Sequence, residues 1–223
     1  VVADINADGA QAAAERLRQQ GGKALGVHVD ISDKASVDAM VAQAAQAFGS
    51  VDILVNNAAL MIEQEARTAT SVIDLSVWNR LLAINLTGAL LCSQAVAPLM
   101  RERGWGRIIN QSSAGAYPAQ SAYGITKLAM VGLTTTLATE LGRSGITVNA
   151  IAPGITDSGA GLSQRDNPSR WSQMMVETAP LRAIGVPDEL AGALVLLCSE
   201  AGNWITGQVI NIDGGRLHRE AWF

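Results

Sequence analysis

The sequence predicts one α/β domain built on a doubly wound parallel sheet. Short runs rich in β-branched residues alternate along the chain with segments whose apolar residues recur at helical spacing. Strands and helices that alternate in this way join as βαβ units, which makes the sheet parallel. A length of 223 residues suits one such domain with a full core.

The elements follow in order. Val1-Val2-Ala3-Asp4 opens the chain, without a Met, as a buried strand ending in an acid. A helix follows with Ala10, Ala13, Ala14 and Leu17 on one face, and Gly21-Gly22 ends it. Residues 24–29 form the next strand and close on Asp30. The helix that starts near Ser32-Asp33 carries Val37, Met40, Val41, Ala44, Ala45 and Phe48. Residues 51–55 are a strand, 60–73 an irregular stretch, and 75 to about 103 a long helical run in which Pro98 should kink or end a turn. Residues 107–110 make a short buried strand. A helix from Tyr123 onward has Met130, Leu133, Leu137 and Leu141 at helical spacing. Residues 146–151 and 206–212 read as strands, with a helix over 187–199 between them.

Bulk properties narrow the function. The net charge is −4 and the sequence holds no basic stripe, so nucleic acid is not an expected partner. Cys92 and Cys198 each sit in an apolar run, make no disulfide framework, and fit a cytoplasmic location. Residues 81–100 carry no charge, but Asn85, Thr87, Ser93, Gln94 and Pro98 interrupt them, so a core helix is expected rather than a membrane span. Neither His28 nor His218 has metal-ligand spacing.

The chemistry concentrates between Ser113 and Lys127. Tyr123 and Lys127 are four residues apart and become neighbours on a helix. A phenol is a poor base at neutral pH, with an ordinary pKa of about 10. A nearby ammonium favours the phenolate and lowers that value. Gln111-Ser112-Ser113 places a hydroxyl where the preceding strand opens into a loop, at the carboxyl edge where α/β sheets bind ligands. A hydroxyl, a phenol and a lysine together can exchange a proton with an alcohol or carbonyl.

With these residues in view, the whole chain resembles the short-chain dehydrogenase/reductase family. The resemblance rests on Ser113, Tyr123 and Lys127, on Asn56-Asn57-Ala58-Ala59, Ile84-Asn85-Leu86-Thr87-Gly88, Pro153-Gly154 and Asp213-Gly214-Gly215. It implies a Rossmann-like fold and an oxidoreductase that interconverts a secondary alcohol and a ketone by hydride transfer. It gives Ser113, Tyr123, Lys127 and Asn85 the catalytic roles, with Ser112 as the alternative serine. Asn85 reads either as a satisfied core amide or as the member whose backbone carbonyl holds a water near the lysine. Expected cofactor contacts are Asp4, Ile5, Asp30, Ile31, Asn57, Ala58, Ala59, Tyr123, Lys127, Pro153, Gly154, Ile155 and Ser158. Asp4 at a strand end can accept from a ribose 2′-OH and repel a 2′-phosphate, so NAD is expected over NADP. The resemblance further implies a substrate lid over about 155–185, with Trp171, Met174, Met175 and Val176, and a homo-oligomer, tetramer or dimer. The terminal Trp222 and Phe223 are expected to dock on a neighbouring subunit.

Ala59 and Ser158 stand where the family usually has Gly and Thr, both mild changes. A larger departure is the absence from these residues of the family's first strand and Gly-rich turn, which bind the pyrophosphate. The expectation is therefore an N-terminally truncated sheet lacking its first strand and helix, with an inactive fragment as one alternative. A non-catalytic dinucleotide-binding scaffold is the other.

Overall fold

The computed structural model describes residues 1–61, 69–157 and 170–216. Residues 62–68, Ser158, the 159–169 part of the expected lid, and the tail with Trp222 and Phe223 lie outside them. Six parallel strands fall into two sheets. β1 (Val2–Asp4) pairs with β2 (Gly26–His28), with Asp4 opposite His28. The second sheet runs in the order β3 (Ile53–Asn56), β4 (Gly106–Gln111), β5 (Ile146–Pro153), β6 (Val209–Ile212). β1 and β3 are not hydrogen-bonded to each other, and Ile53 and Val55 on β3 are 44% and 41% exposed.

Local chemistry sets the helix ends. Asn6 caps α1 (Ala7–Gln19) by accepting from the Gly9 N–H at 3.1 Å. Ala10 and Ala14 are buried on it, whereas Leu17, expected on the same face, is exposed. Asp33 caps α2 (Lys34–Phe48), accepting from Ala35 and Ser36, and Gly49 ends it in a left-handed conformation. Phe48, in the last turn of α2, is exposed rather than on the buried face.

The long apolar run is three pieces: α3 (Leu75–Leu82), a π-helical turn Ala83–Thr87, and α4 (Gly88–Arg103), which passes through Pro98. Leu75–Arg103 is long and apolar enough to cross a bilayer by length and composition, with a mean hydropathy of 1.5. Its apolar content is explained by packing. Leu81, Cys92, Val96 and Met100 are buried, and the last three join the main core with Val37, Met40, Val41, Ile108 and Val148. Three helices complete the described fold: α5 (Ala122–Leu141), α6 (Arg170–Thr178) and α7 (Pro187–Cys198).

An amide ladder crosses this core just below the site. Asn56 Nδ2 donates to Asn110 Oδ1 at 2.8 Å and to Ser93 Oγ at 3.2 Å. Asn110 Nδ2 donates to Thr134 Oγ1 at 3.0 Å. Asn110, Ser93 and Thr134 are fully buried, so the ladder ties β3, β4, α4 and α5 together in a medium where an unmade bond is costly. Asn110→Ala would leave Asn56 and Thr134 each short of a partner. We expect it to lower the unfolding free energy by about 3 kcal/mol in a urea titration.

Candidate active site

The site is built at the carboxyl edge of β4 and β5. Ser112 and Ser113 follow the end of β4, and a single 3₁₀ turn, Ala114–Ala116, begins at Ser113, whose Oγ accepts from the Gly115 N–H at 3.1 Å. Ser121 then caps α5, accepting from the Gly124 N–H at 3.1 Å, and fixes where Tyr123 and Lys127 emerge. Gly124 has a packing reason: a Cβ there would lie 2.9 Å from the Gly115 carbonyl oxygen. The connecting loop holds Ala119 at φ 45°, a left-handed backbone that an alanine adopts only under constraint.

The two serines separate clearly. Ser112 is buried, and its Oγ donates to the Lys127 carbonyl at 2.8 Å, anchoring α5 to the sheet. Ser113 is half-buried, and its hydroxyl lies on the side of the Tyr123 phenol, whose pKa it tends to lower. Lys127 is 2% exposed, and its Nζ donates to the Gln111 carbonyl at 2.7 Å. The same ammonium lies 5.6 Å from the centre of the Tyr123 ring. Ser113, Tyr123 and Lys127 are thus brought together around one phenol.

The electrostatics differ from the sequence expectation. Burial pushes the Tyr123 phenol above its ordinary value, and the Ser113 hydrogen bond pulls the other way. Burial lowers Lys127 itself to about 8, and its ammonium is turned to the Gln111 carbonyl. In place of the expected depression by the lysine, the tyrosine is raised in this arrangement, with desolvation of the phenol as the largest cause.

Asn85 occupies the π-helical turn, a form that in helices often marks functional sites. It is 1% exposed, and its amide is fully used: Oδ1 accepts from the Leu60 N–H at 2.7 Å, and Nδ2 donates to the Leu60 carbonyl at 2.9 Å and to Thr126 Oγ1 at 3.1 Å. Thr126 in turn donates to the Tyr123 carbonyl at 2.7 Å. The satisfied-amide reading of the side chain therefore holds, and the side chain clamps the segment after β3 to the first turn of α5. Thr126, Leu60 and the Gln111 carbonyl were not singled out from the sequence. Thr126 carried a signal, since it lies three residues after Tyr123 on the same helix.

The expected cofactor residues line the same edge of the two sheets. Asp4 and Ile5 are exposed at the end of β1, and Asp4 Oδ1 accepts from the Asn6 N–H at 2.8 Å. Asp30 and Ile31 follow β2, and Ile31 packs on Gly88, where a Cβ would lie 2.8 Å from Ile31 Cδ1. Asn57, Ala58 and Ala59 are exposed after β3. Pro153 ends β5 buried; Gly154 follows so close to Asp213 that a Cβ would come within 2.7 Å of its Cα. Ile155 lines a cavity of about 160 Å³ with Val176, Leu181, Ile212, Asp213 and Arg216.

A family model described as enoyl-(acyl carrier protein) reductase matches residues 1–216. An uncharacterised oxidoreductase of Mycobacterium tuberculosis is 43% identical over 219 residues, covering 98% of this chain and 87% of that protein. The chain belongs to the short-chain dehydrogenase/reductase family. A second relative of this family of oxidoreductases is a (2S)-[(R)-hydroxy(phenyl)methyl]succinyl-CoA dehydrogenase subunit of Thauera aromatica, 38% identical over 220 residues, 97% of this chain and 85% of that one. Among solved structures, a gluconate 5-dehydrogenase of Burkholderia cenocepacia in complex with NADP and tartrate superposes with a TM-score of 0.88 at 31% identity, over 97% of this chain and 84% of that chain. The expected truncation finds no support in these matches, and the inactive-fragment alternative is not favoured.

The buried lysine has a measurable consequence for stability. Its pKa falls from 10.5 to about 8 on folding. Between those values the folded chain binds fewer protons than the unfolded one, so this group's contribution to stability rises as pH climbs through that window. Below about 8 the buried ammonium carries its full cost. Lys127→Met should therefore raise the unfolding free energy near neutral pH by about 2 kcal/mol. The gain over wild type should shrink toward zero as pH approaches the ordinary lysine value, with paired urea titrations as the check.

Proposed function

We propose that this protein interconverts a secondary alcohol and a ketone by hydride transfer with a nicotinamide dinucleotide, NAD in preference to NADP. The observation that carries the reading is the gathering of Ser113 and Lys127 about the half-buried phenol of Tyr123, with Asn85 and Thr126 braced behind it.

The residues present fit such a cofactor at its two ends. An ammonium has three donors, and Lys127 spends one on Gln111, which leaves two for the hydroxyls of a nicotinamide ribose. The Asp4 carboxylate gives one oxygen to Asn6 and keeps the other for the adenosine ribose 2′-OH. Pro153, Gly154 and Ile155 would flank the nicotinamide, and Asp30 and Ile31 the adenine, with Ile5, Asn57, Ala58 and Ala59 along the path between. Ser158 is assigned by resemblance alone. Bound there, the cofactor supplies the hydride acceptor or donor.

The remaining chemistry belongs to this chain. Ser113 Oγ donates to the substrate oxygen as charge builds on the ketone or leaves the alcohol. Tyr123 Oη exchanges the proton with that oxygen. Lys127, once drawn from Gln111 toward the ribose, stands closer to the phenol and opposes the rise in its pKa that burial imposes. The Asn85 backbone carbonyl, in the π-helical turn, would accept from a water that connects the lysine to solvent. The wall formed by Ile155, Val176 and Leu181 suits an apolar or cyclic substrate. Two of the relatives above are named for dehydrogenating hydroxyl-bearing substrates.

Tyr123→Phe tests the assignment. With a panel of cyclic and aryl secondary alcohols and NAD⁺, followed by nicotinamide absorbance, the variant should lose at least about a hundredfold in kcat. Its dissociation constant for NADH, read by tryptophan quenching, should stay within about twofold of wild type, because a proton carrier contributes to the reaction step and little to binding. Turnover unchanged in the variant would overturn the proposal. Asp4→Ser should shrink the preference for NADH over NADPH by about tenfold or more, since it removes a like charge from the 2′-phosphate.

A further inference from the structure

We propose that His28 is a second cofactor-selecting residue, whose protonation relaxes the bias that Asp4 imposes against a 2′-phosphorylated dinucleotide. The inference rests on the dinucleotide reading above and deepens it at the adenosine end.

Register and alternation place the imidazole. Asp4 on β1 and His28 on β2 are direct partners in a parallel pair, so their side chains leave the same face of the sheet on strands about 4.8 Å apart. Val27 and Val29 on either side of His28 are buried in the core with Val37 and Val41 of α2. His28 therefore points to the opposite face, as do Gly26 and Asp30 on alternate positions. That face belongs to α1, because a Cβ on Gly26 would lie 2.7 Å from the Gln11 backbone. Both Asp4 and His28 are exposed, at the edge where the ribose is expected.

The charged groups nearest in sequence and register to the imidazole are acidic. Asp4 is beside it on β1 and Asp30 lies two residues on. Hydrogen bonds from the Ser32 hydroxyl and N–H, followed by the charge of His28, hold the Asp30 carboxyl below its ordinary value. On α1, which runs back along this face, the first turn carries Asp8. The other charged groups of α1 are Glu15, Arg16 and Arg18 toward its far end, of which Arg18 is committed to Glu15 and the Ala24 carbonyl. On α2, Asp33 caps the helix and Lys34 is paired with Asp38. By the resemblance Asp4 is the carboxylate set against the 2′ position, so a neutral His28 leaves that carboxylate unopposed against a phosphate. A protonated His28 offsets that carboxylate and offers the phosphate a donor.

The test is a pair of cofactor titrations on the wild-type protein and His28→Gln. Dissociation constants for NADH and NADPH are read by tryptophan quenching at low salt between about pH 8 and about pH 6. The 2′-phosphate also takes a proton near pH 6, so the variant serves as the reference for that effect. We expect the NADPH-to-NADH ratio of dissociation constants to fall by about threefold more in wild type than in the variant as pH is lowered, and the excess to vanish at high salt. Equal pH dependence in both proteins would overturn the role of His28 while leaving the dinucleotide reading intact. Failure of both proteins to bind either cofactor would overturn both.

Discussion

A lysine ammonium held almost without solvent contact at the carboxyl edge of a parallel sheet is the constraint around which this molecule is arranged. Burying a cation without an acid partner is expensive. Here the cost is limited by the Gln111 carbonyl and by a drop of the lysine pKa to about 8. The neighbouring elements hold the lysine there. Ser112 ties its carbonyl to β4, Ser121 fixes the start of its helix, and Gly124 lets that helix close against the turn that carries Ser113. The amide ladder from Asn56 through Asn110 to Thr134 then locks helix and sheet one layer below.

The same arrangement explains why Tyr123 sits above its ordinary pKa rather than below it. Sequence spacing puts a lysine beside a tyrosine, and the pairwise Coulomb argument then favours the phenolate. The structure shows that burial acts on both groups at once, and that the ammonium leans on a backbone carbonyl away from the phenol. A bound ribose that competes with Gln111 for the lysine would convert one arrangement into the other, coupling cofactor binding to activation of the phenol.

Much of this was legible in the sequence. The order and approximate bounds of the described strands and main helices followed from β-branched runs and helical periodicity, and the nearness of Ser113, Tyr123 and Lys127 followed from the Tyr-x-x-x-Lys spacing and the Ser-Ser step after β4, whereas Asn85 and the roles of all four came from the family resemblance. Three things were not. The choice between Ser112 and Ser113 depends on which hydroxyl is spent on the α5 backbone, Ser112 on the Lys127 carbonyl, and which is left beside the phenol, and spacing does not carry that. The break at Ala83–Thr87 has no proline or glycine inside it, so the run read as one continuous helix. The partners of Asn85 come from residues 25 and 41 positions away, and only the fold brings Leu60 and Thr126 to it. Leu17 and Phe48, apolar yet exposed, show the same limit: periodicity marks a face, and packing decides how far along the helix that face is covered.

The account stands or falls on the protonation of Lys127, which links fold, stability and chemistry. The most direct measurement is an NMR titration of its side-chain Nζ, assigned through Lys127→Arg, with and without NADH. The account predicts an inflection near 8 in the protein alone, moving upward when NADH is bound and the ribose hydroxyls favour the ammonium. An inflection in the ordinary lysine range, unmoved by NADH, would contradict it.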